Sequence, residues 1–357
     1  MIKKITYRVL MLLLLVVAGM ETMVQAQELR DLEAVEITDD HLIFDYRLHR
    51  NPFFILRNLK IEDSLKDKNH IHLYRGSVVY GSEHLDGGKF RNQKHYKLDF
   101  QLEPYYNSRF GDIDDPFRTQ LGIGPRVEWT SKWGVYGVFQ WLIPIQNDFD
   151  VEVGFGHRPG ESGIGFTRVF NQKVFLNAFA GIFTNRRYGA STELILMNES
   201  GKFYYGGGLF YSGPYIFMDN TFIRERVRYL SGYGFVAYRI TSQDLTLRLT
   251  GERYLNEDYG ARLEVLRQFG NTDIGFYAQK SKNGENGGIM VTLSLWPRKF
   301  YNNSWFQFRP PHSIRIQYDL ITATRSGQAL RNQTDFFYDI LRFNPRFIEE
   351  QMKTLAK

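Results

Sequence analysis

Through the middle of this chain, short runs carry an apolar residue at every second position. In Tyr96-Lys97-Leu98-Asp99-Phe100-Gln101-Leu102 apolar and polar residues alternate without a break, and Leu245-Thr246-Leu247-Arg248-Leu249-Thr250 repeats the pattern. Ile274, Phe276 and Ala278 alternate with Asp273, Tyr277 and Gln279, as Ile314, Ile316 and Tyr318 do with Arg315, Gln317 and Asp319. A period of two belongs to a strand whose faces meet different surroundings, one apolar and one wet. The stretches 133–145 and 174–183 are apolar on both parities, which predicts strands facing lipid on one side and a plug or packed interior on the other.

Turn-forming clusters separate the runs: Thr130-Ser131-Lys132, Arg158-Pro159-Gly160, Asn198-Glu199-Ser200-Gly201, Asn256-Glu257-Asp258, Phe269-Gly270-Asn271 and the segment 282–287. Such residues supply positive φ and local side-chain hydrogen bonds that close hairpins. Strands joined by short polar turns form an up-and-down meander with no room for crossover helices. At ~10 residues per membrane-spanning strand plus connections, residues 71–320 accommodate roughly 12 to 16 strands. The expected fold is therefore all-β, a transmembrane antiparallel up-and-down β-barrel followed by a short helical C-terminal tail.

Composition sharpens this picture. The chain has 29 Phe, 22 Tyr, 5 Trp and 32 Gly, yet its mean hydropathy is −0.37. After the N-terminal segment there is no apolar run near the ~20 residues a spanning helix needs, so any crossing of a bilayer is made by strands. Aromatic residues near predicted strand ends (Tyr105, Tyr106, Trp129, Trp133, Tyr204, Tyr205, Tyr211, Tyr215, Tyr254, Trp296 and Trp305) suit the two interfacial girdles of a barrel. A secreted β-sandwich also alternates, but it rarely sustains so many strands in one uninterrupted meander.

The ends differ from the middle. Lys3, Lys4 and Arg8 precede an apolar run and the triplet Val24-Gln25-Ala26, the pattern of a signal peptide over residues 1–26. Removing it lowers the formal charge from +6 to +4, because three basic residues and Glu21 leave. Acidic and basic residues are interleaved along the rest, which argues against a nucleic-acid surface. Residues 27–70 read as a periplasmic segment or plug, and residues 321–357 as a periplasmic tail with short helices near 334–340 and 345–356, folded below or against the lower rim. The absence of Cys excludes a disulfide framework, a thiolate nucleophile and a Cys metal site. The expected location is the outer membrane of a Gram-negative bacterium.

The stretch Arg253-Tyr254-Leu255-Asn256-Glu257-Asp258-Tyr259-Gly260-Ala261-Arg262-Leu263-Glu264-Val265, followed by Arg267-Gln268-Phe269-Gly270-Asn271, resembles the signature of the YjbH family of exopolysaccharide-associated outer-membrane proteins. Gly288-Ile289-Met290-Val291 is similar to that family's next strand, and Thr324-Arg325-Ser326-Gly327-Gln328-Ala329-Leu330 to its closing segment. The resemblance covers about residues 245–331. It implies a barrel that serves export or surface assembly of a polysaccharide together with other secretion components. The chain is shorter than many such proteins, which suggests one barrel unit, and it has no lipidation cysteine.

If the apolar parity faces lipid, the other lines the interior: Lys97, Asp99, Arg126, Glu128, Arg248, Glu252, Arg262, Glu264, Arg315 and Asp319 become candidate polysaccharide contacts. Alternating guanidinium, carboxylate and hydroxyl groups match the donor and acceptor pattern of sugars. Mutual neutralisation across neighbouring strands accounts for the same pattern more simply. No cofactor is implied. The acidic loop Gly111-Asp112-Ile113-Asp114-Asp115 lacks the Gly and distal Glu of a calcium loop, and the His157/Ser162 pair sits among turn residues. The expected function is non-enzymatic export or surface assembly of an exopolysaccharide or capsule. A general porin and a lipid-modifying barrel enzyme are the alternatives.

Overall fold

The computed structural model describes residues 35–37, 41–44, 72–75, 98–110, 117–131, 134–148, 156–170, 173–184, 186–218, 220–255, 257–270, 272–294, 301–302, 305–309, 311, 313–321, 327–330, 336–342, 344 and 347. The predicted signal peptide, the calcium-like loop and most of the second predicted tail helix lie outside them. Three short strands, β1 (Val35–Ile37), β2 (His41–Phe44) and β3 (His72–Arg75), form a separate small sheet. β1 and β2 pair antiparallel, β2 and β3 parallel.

The large sheet comprises β4 (Leu98–Phe110), β5 (Phe117–Thr130), β6 (Val135–Asn147), β7 (Arg158–Pro159), β8 (Ser162–Phe170), β9 (Val174–Phe183) and β10 (Arg187–Met197). It continues with β11 (Phe203–Met218), β12 (Thr221–Arg224), β13 (Tyr229–Ile240), β14 (Leu245–Arg253), β15 (Tyr259–Phe269) and β16 (Thr272–Ser281). The last members are β17 (Gly284–Ser294), β18 (Tyr301–Asn302), β19 (Phe306–Arg309) and β20 (Ser313–Ile321), and helix α1 (Phe336–Arg342) follows. Among the described residues the large sheet begins at Leu98, and β3 pairs with β2 in the small sheet; residues 76–97 of the stretch expected to form the barrel lie outside the described residues. Among the described residues thirteen strands, β4–β6, β8–β11, β13–β17 and β20, run for nine residues or more. They form an antiparallel meander in which each pairs with the next long strand.

Because that number is odd, the first and last strands run the same way, and their contacts are parallel. β19 pairs with the start of β4 from Phe306↔Leu98 to Arg309↔Gln101, and β20 meets its end at Leu320↔Phe110. In sequence the break between β19 and β20 falls at Pro310-Pro311-His312, and proline has no N–H to give to a ladder.

Turns form largely where the sequence placed them. Gly201 and Gly270 occupy left-handed conformations at φ 66 and φ 60 in the β10–β11 and β15–β16 connections. Two expectations change. Arg158 and Pro159 close no hairpin but form the short β7 against Trp141 and Leu142, with their side chains buried. The cluster 282–287 is only partly turn, since β17 already starts at Gly284.

The burial pattern is inverted relative to a water-soluble sheet. Along β14, Leu247 and Leu249 are exposed while Thr246, Arg248 and Thr250 are buried. On β16, Phe276 and Ala278 are exposed, and Asp273, Tyr277 and Gln279 are buried. Arg239, Glu193 and Asp273 have 0%, 3% and 3% of their surface accessible, whereas Val236, Leu209 and Phe276 have 59%, 59% and 54%. On the two-sided apolar strand β9, Phe175, Phe179 and Phe183 turn to the buried face. They join a cluster with Phe210, Tyr233 and Phe235. Several aromatic residues expected at interfacial girdles also point inward: Tyr204, Tyr215 and Tyr254 are buried, while Trp129, Tyr205, Tyr211 and Trp305 are exposed.

Candidate functional site: the buried polar face and its occupants

Two groups of buried charges form on this face. In the first, β5 places Arg126 beside three carboxylates: its Nε donates to Glu128 at 2.7 Å and its Nη1 to Glu161 at 2.9 Å, with Glu103 at 3.8 Å. The register sets Asp99 opposite Glu128 and Gln101 opposite Arg126, and the Gln101 amide donates to Glu128 at 3.1 Å. Glu161 arrives from the β6–β8 connection, which folds onto the buried face. The Gly160 N–H donates to the Gln140 carbonyl, Arg158 Nη2 to Gln120 at 3.2 Å, and the Tyr215 hydroxyl to the Pro159 carbonyl at 2.8 Å. A polar chain continues along the sheet: Tyr136 and Thr167 donate to Asn177, Asn177 donates to Glu193, and Tyr233 donates to Glu193.

The second group surrounds the C-terminal segment. Arg248 on β14 is 3.4 Å from Glu264 on β15, and its guanidinium lies over the rings of Phe235 at 4.5 Å and Phe337 at 4.6 Å. Arg262 bonds Glu264 at 2.8 Å and stacks on Tyr277, its guanidinium carbon 3.7 Å from the ring centre. The Tyr338 hydroxyl donates to Glu264 at 2.8 Å, and Arg315 from β20 covers the Tyr338 ring at 4.4 Å. Away from water such cation–ring contacts are worth about 2 kcal/mol each.

The tail follows a path across the sheet. At the end where β14 turns into β15, the Gly327 N–H donates to Asp258 at 2.7 Å, the Leu255 N–H to the Gln328 carbonyl at 3.0 Å, and Gln279 to the Gly327 carbonyl at 3.2 Å. Gly327 is left-handed at φ 62, and a Cβ there would collide with Gln279. Further on, Phe336, Phe337, Tyr338, Ile340, Leu341 and Arg342 of α1 are all buried. Arg342 pairs with Asp273 at 2.7 Å. At the opposite end, the Asn344 amide donates to the Gly201 carbonyl at 2.7 Å and to the Tyr204 hydroxyl, and Arg239 covers Phe347 at 5.3 Å. The described tail residues therefore lie against the buried face at both ends of the strands and between them, where the sequence had suggested a rim or periplasmic location.

Asp258 holds the entry point. Burial would push its carboxyl up, but hydrogen bonds from the Gly327 backbone, the Ser281 hydroxyl and the Tyr259 and Asn283 backbones outweigh that and hold it below its ordinary value of 3.8. The folded value is the lower one, so the stability this carboxylate contributes is complete above about pH 4 and is lost as pH falls through and below that value. We expect limited proteolysis at residues 327–330 to accelerate as pH falls below about 4. Asp258→Asn should weaken the clamp at neutral pH by about 1–3 kcal/mol, since an amide NH2 would face backbone donors, and should flatten the acid dependence.

Of the candidate contacts, Asp99, Arg126 and Glu128 meet in the first group and Arg248, Arg262, Glu264 and Arg315 in the second. Glu252 is buried at the β14 end near the tail's entry, opposite Tyr233 and Gly260 in the ladder. Asp319 stands opposite Gly288 in the β17–β20 register, its side chain outside the described residues, as is all of Lys97. The charges of the first group engage one another and Glu161 of the β6–β8 connection, and those of the second engage one another and the C-terminal segment. His157 and Ser162 form no dyad: the His157 ring packs near Trp141 and Phe217, and the Ser162 hydroxyl meets the Gln140 backbone. Sequence reasoning missed Glu161, Glu193, Asn177, Phe337, Tyr338, Arg342 and Asn344. One signal was present, since Phe336-Phe337-Tyr338-Asp339-Ile340-Leu341 is too apolar on all sides for an exposed helix.

The architecture is that of a large, mostly antiparallel sheet with an apolar exposed face and a polar buried face filled by its own loop and tail. Comparison with protein-family models gives no match, and comparison with curated proteins gives none either.

Proposed function

We propose that this chain is an outer-membrane β-barrel of a Gram-negative bacterium, closed by the parallel seam between β4 and β19–β20. Its role is non-enzymatic, in export or surface assembly of an exopolysaccharide or capsule. The observation that carries the membrane reading is the inverted burial: the apolar parity is exposed on strand after strand while Arg239, Arg248 and Glu264 are hidden. In water that arrangement squanders the hydrophobic effect, and in lipid it satisfies it. An odd-stranded barrel must close in parallel, which agrees with the β19–β4 and β20–β4 pairings. The polymer class rests on the resemblance between residues 245–331 and the YjbH family and on the sugar-compatible chemistry of the interior.

The lumen is occluded, on one side by the β6–β8 connection and on the other by the C-terminal segment. That favours a gated path or docking face over an open porin. Deleting the gene should reduce cell-surface polysaccharide and leave polymer within the envelope. Restoring it with Arg248→Ala/Glu252→Ala should recover only part of the surface polymer. Unchanged surface polysaccharide in the deletion strain would refute the export role, and full recovery with the double variant would refute contact through these residues.

A further inference from the structure

The seam is where the wall changes character. Its parallel pairing lasts four residues, from Leu98 to Gln101 on β4, and the Leu98 N–H donates to the Trp305 carbonyl at 3.1 Å. Leu98 and Phe100 lie on the exposed parity opposite Phe306 and Phe308, while Asp99 and Gln307 are buried between them. On the exposed side Leu98, Phe100, Trp129, Trp305 and Phe306 outline a groove of about 340 Å³. The Phe306 ring meets Phe100 edge-on at 5.8 Å, and Trp305 has 81% of its surface accessible.

We propose that this groove is a specific site for one acyl chain of a membrane phospholipid, an inference that rests on the outer-membrane reading above. None of the five lining residues is charged, and the volume falls in the range of small-molecule sites, about 300–1,000 Å³. The groove lies at the end where β4 begins. That end carries the short β5–β6, β8–β9 and β10–β11 connections and corresponds to the periplasmic side of a barrel. Two indoles frame it at the depth where tryptophan sits in a bilayer, and an indole N–H only donates, so lipid ester and phosphate oxygens are fitting partners. A protein partner would instead be expected to meet a polar rim around the apolar centre.

The test uses the full chain reconstituted in palmitoyl-oleoyl phosphatidylethanolamine vesicles, re-extracted in mild detergent, with bound phospholipid counted by mass spectrometry. Wild type and Val236→Trp, a control on a distant part of the exposed wall, should each retain one phospholipid. Leu98→Trp, which fills the groove, should retain none. Phe306→Ala should retain it poorly, and Trp305→Phe, which keeps a ring but loses the N–H, should release it about fivefold faster. Heat-modifiable migration on gels identifies folded protein for each variant. No retention by wild type, equal retention by folded Leu98→Trp and Val236→Trp, or a co-purifying polypeptide in place of lipid would overturn the site while leaving the barrel intact. A chain that does not enter the vesicles at all would overturn the membrane reading itself.

Discussion

A chain ending at Arg331 should conduct ions across a planar bilayer where the full-length chain is silent. Truncation there removes Phe337, Tyr338, Arg342 and Asn344 and leaves Arg248, Glu264 and Asp273 facing water instead of protein. On the barrel reading the opening should be confined to the side of β11 to β20, because Arg158, Pro159 and Glu161 of the β6–β8 connection still bridge Gln120, Tyr215 and Arg126 elsewhere. The expected record is therefore a narrow channel and not a wide porin. Stability should fall as well, by about 3–5 kcal/mol if the Arg342–Asp273 partnership behaves like other broken buried pairs. A truncated barrel that folds, shown by heat-modifiable migration, yet stays closed would mean that the tail is not what occludes the lumen.

The second large effect separates lipid from water as the surroundings of the exposed face. Leu249 sits at the centre of β14 with 52% of its surface accessible, and its neighbour Thr250 is 1% accessible with a hydroxyl that finds no hydrogen-bond partner. On a soluble protein, arginine at an exposed position such as 249 changes stability by no more than about 0.5 kcal/mol. On the lipid face near the bilayer midplane it costs about 2–4 kcal/mol. Leu249→Arg should therefore be strongly destabilising in reversible denaturant unfolding from vesicles. Thr250→Val, which removes an unsatisfied buried hydroxyl at nearly constant shape, should be close to neutral. A neutral Leu249→Arg would remove the basis for the barrel reading.

How much of this was legible beforehand depends on whether information is local. The parity of Leu98 to Leu102, of Leu245 to Thr250 and of Ile274 to Gln279 is local, and the exposed and buried faces follow it residue by residue. The turns at Ser131, Asn198 and Gly270 were equally readable, because they need particular backbone conformations that few residues adopt. The double apolar parity of β9 pointed to a packed interior, and Phe175 and Phe179 do pack there. What could not be read was which remote segment fills that interior. Arg158-Pro159-Gly160 has the composition of a turn, and only the proximity of Gln120, Gln140 and Tyr215 turns it into a plug. Tyr338 is 74 residues from Glu264, and nothing in either neighbourhood names the other. The inward turn of Tyr204 and Tyr254 was missed for the same reason, since a ring near a strand end fits both an interface and a buried contact with Asn344 or the β14–β15 corner.

If the sheet is the proposed barrel, the tail has a consequence for sidedness. The thirteen long strands among the described residues leave Ile321 at the opposite end of the sheet from Leu98. On the barrel reading, the described tail residues, from Gly327 at the β14–β15 end to Phe347 beside Arg239 at the other, would lead back through the interior. On that reading α1 would serve as part of a fourteenth crossing. An epitope inserted after Phe347 should emerge at the end of the sheet where β4 begins, and on the barrel reading the tail would have to enter the interior before, or while, β20 meets β4.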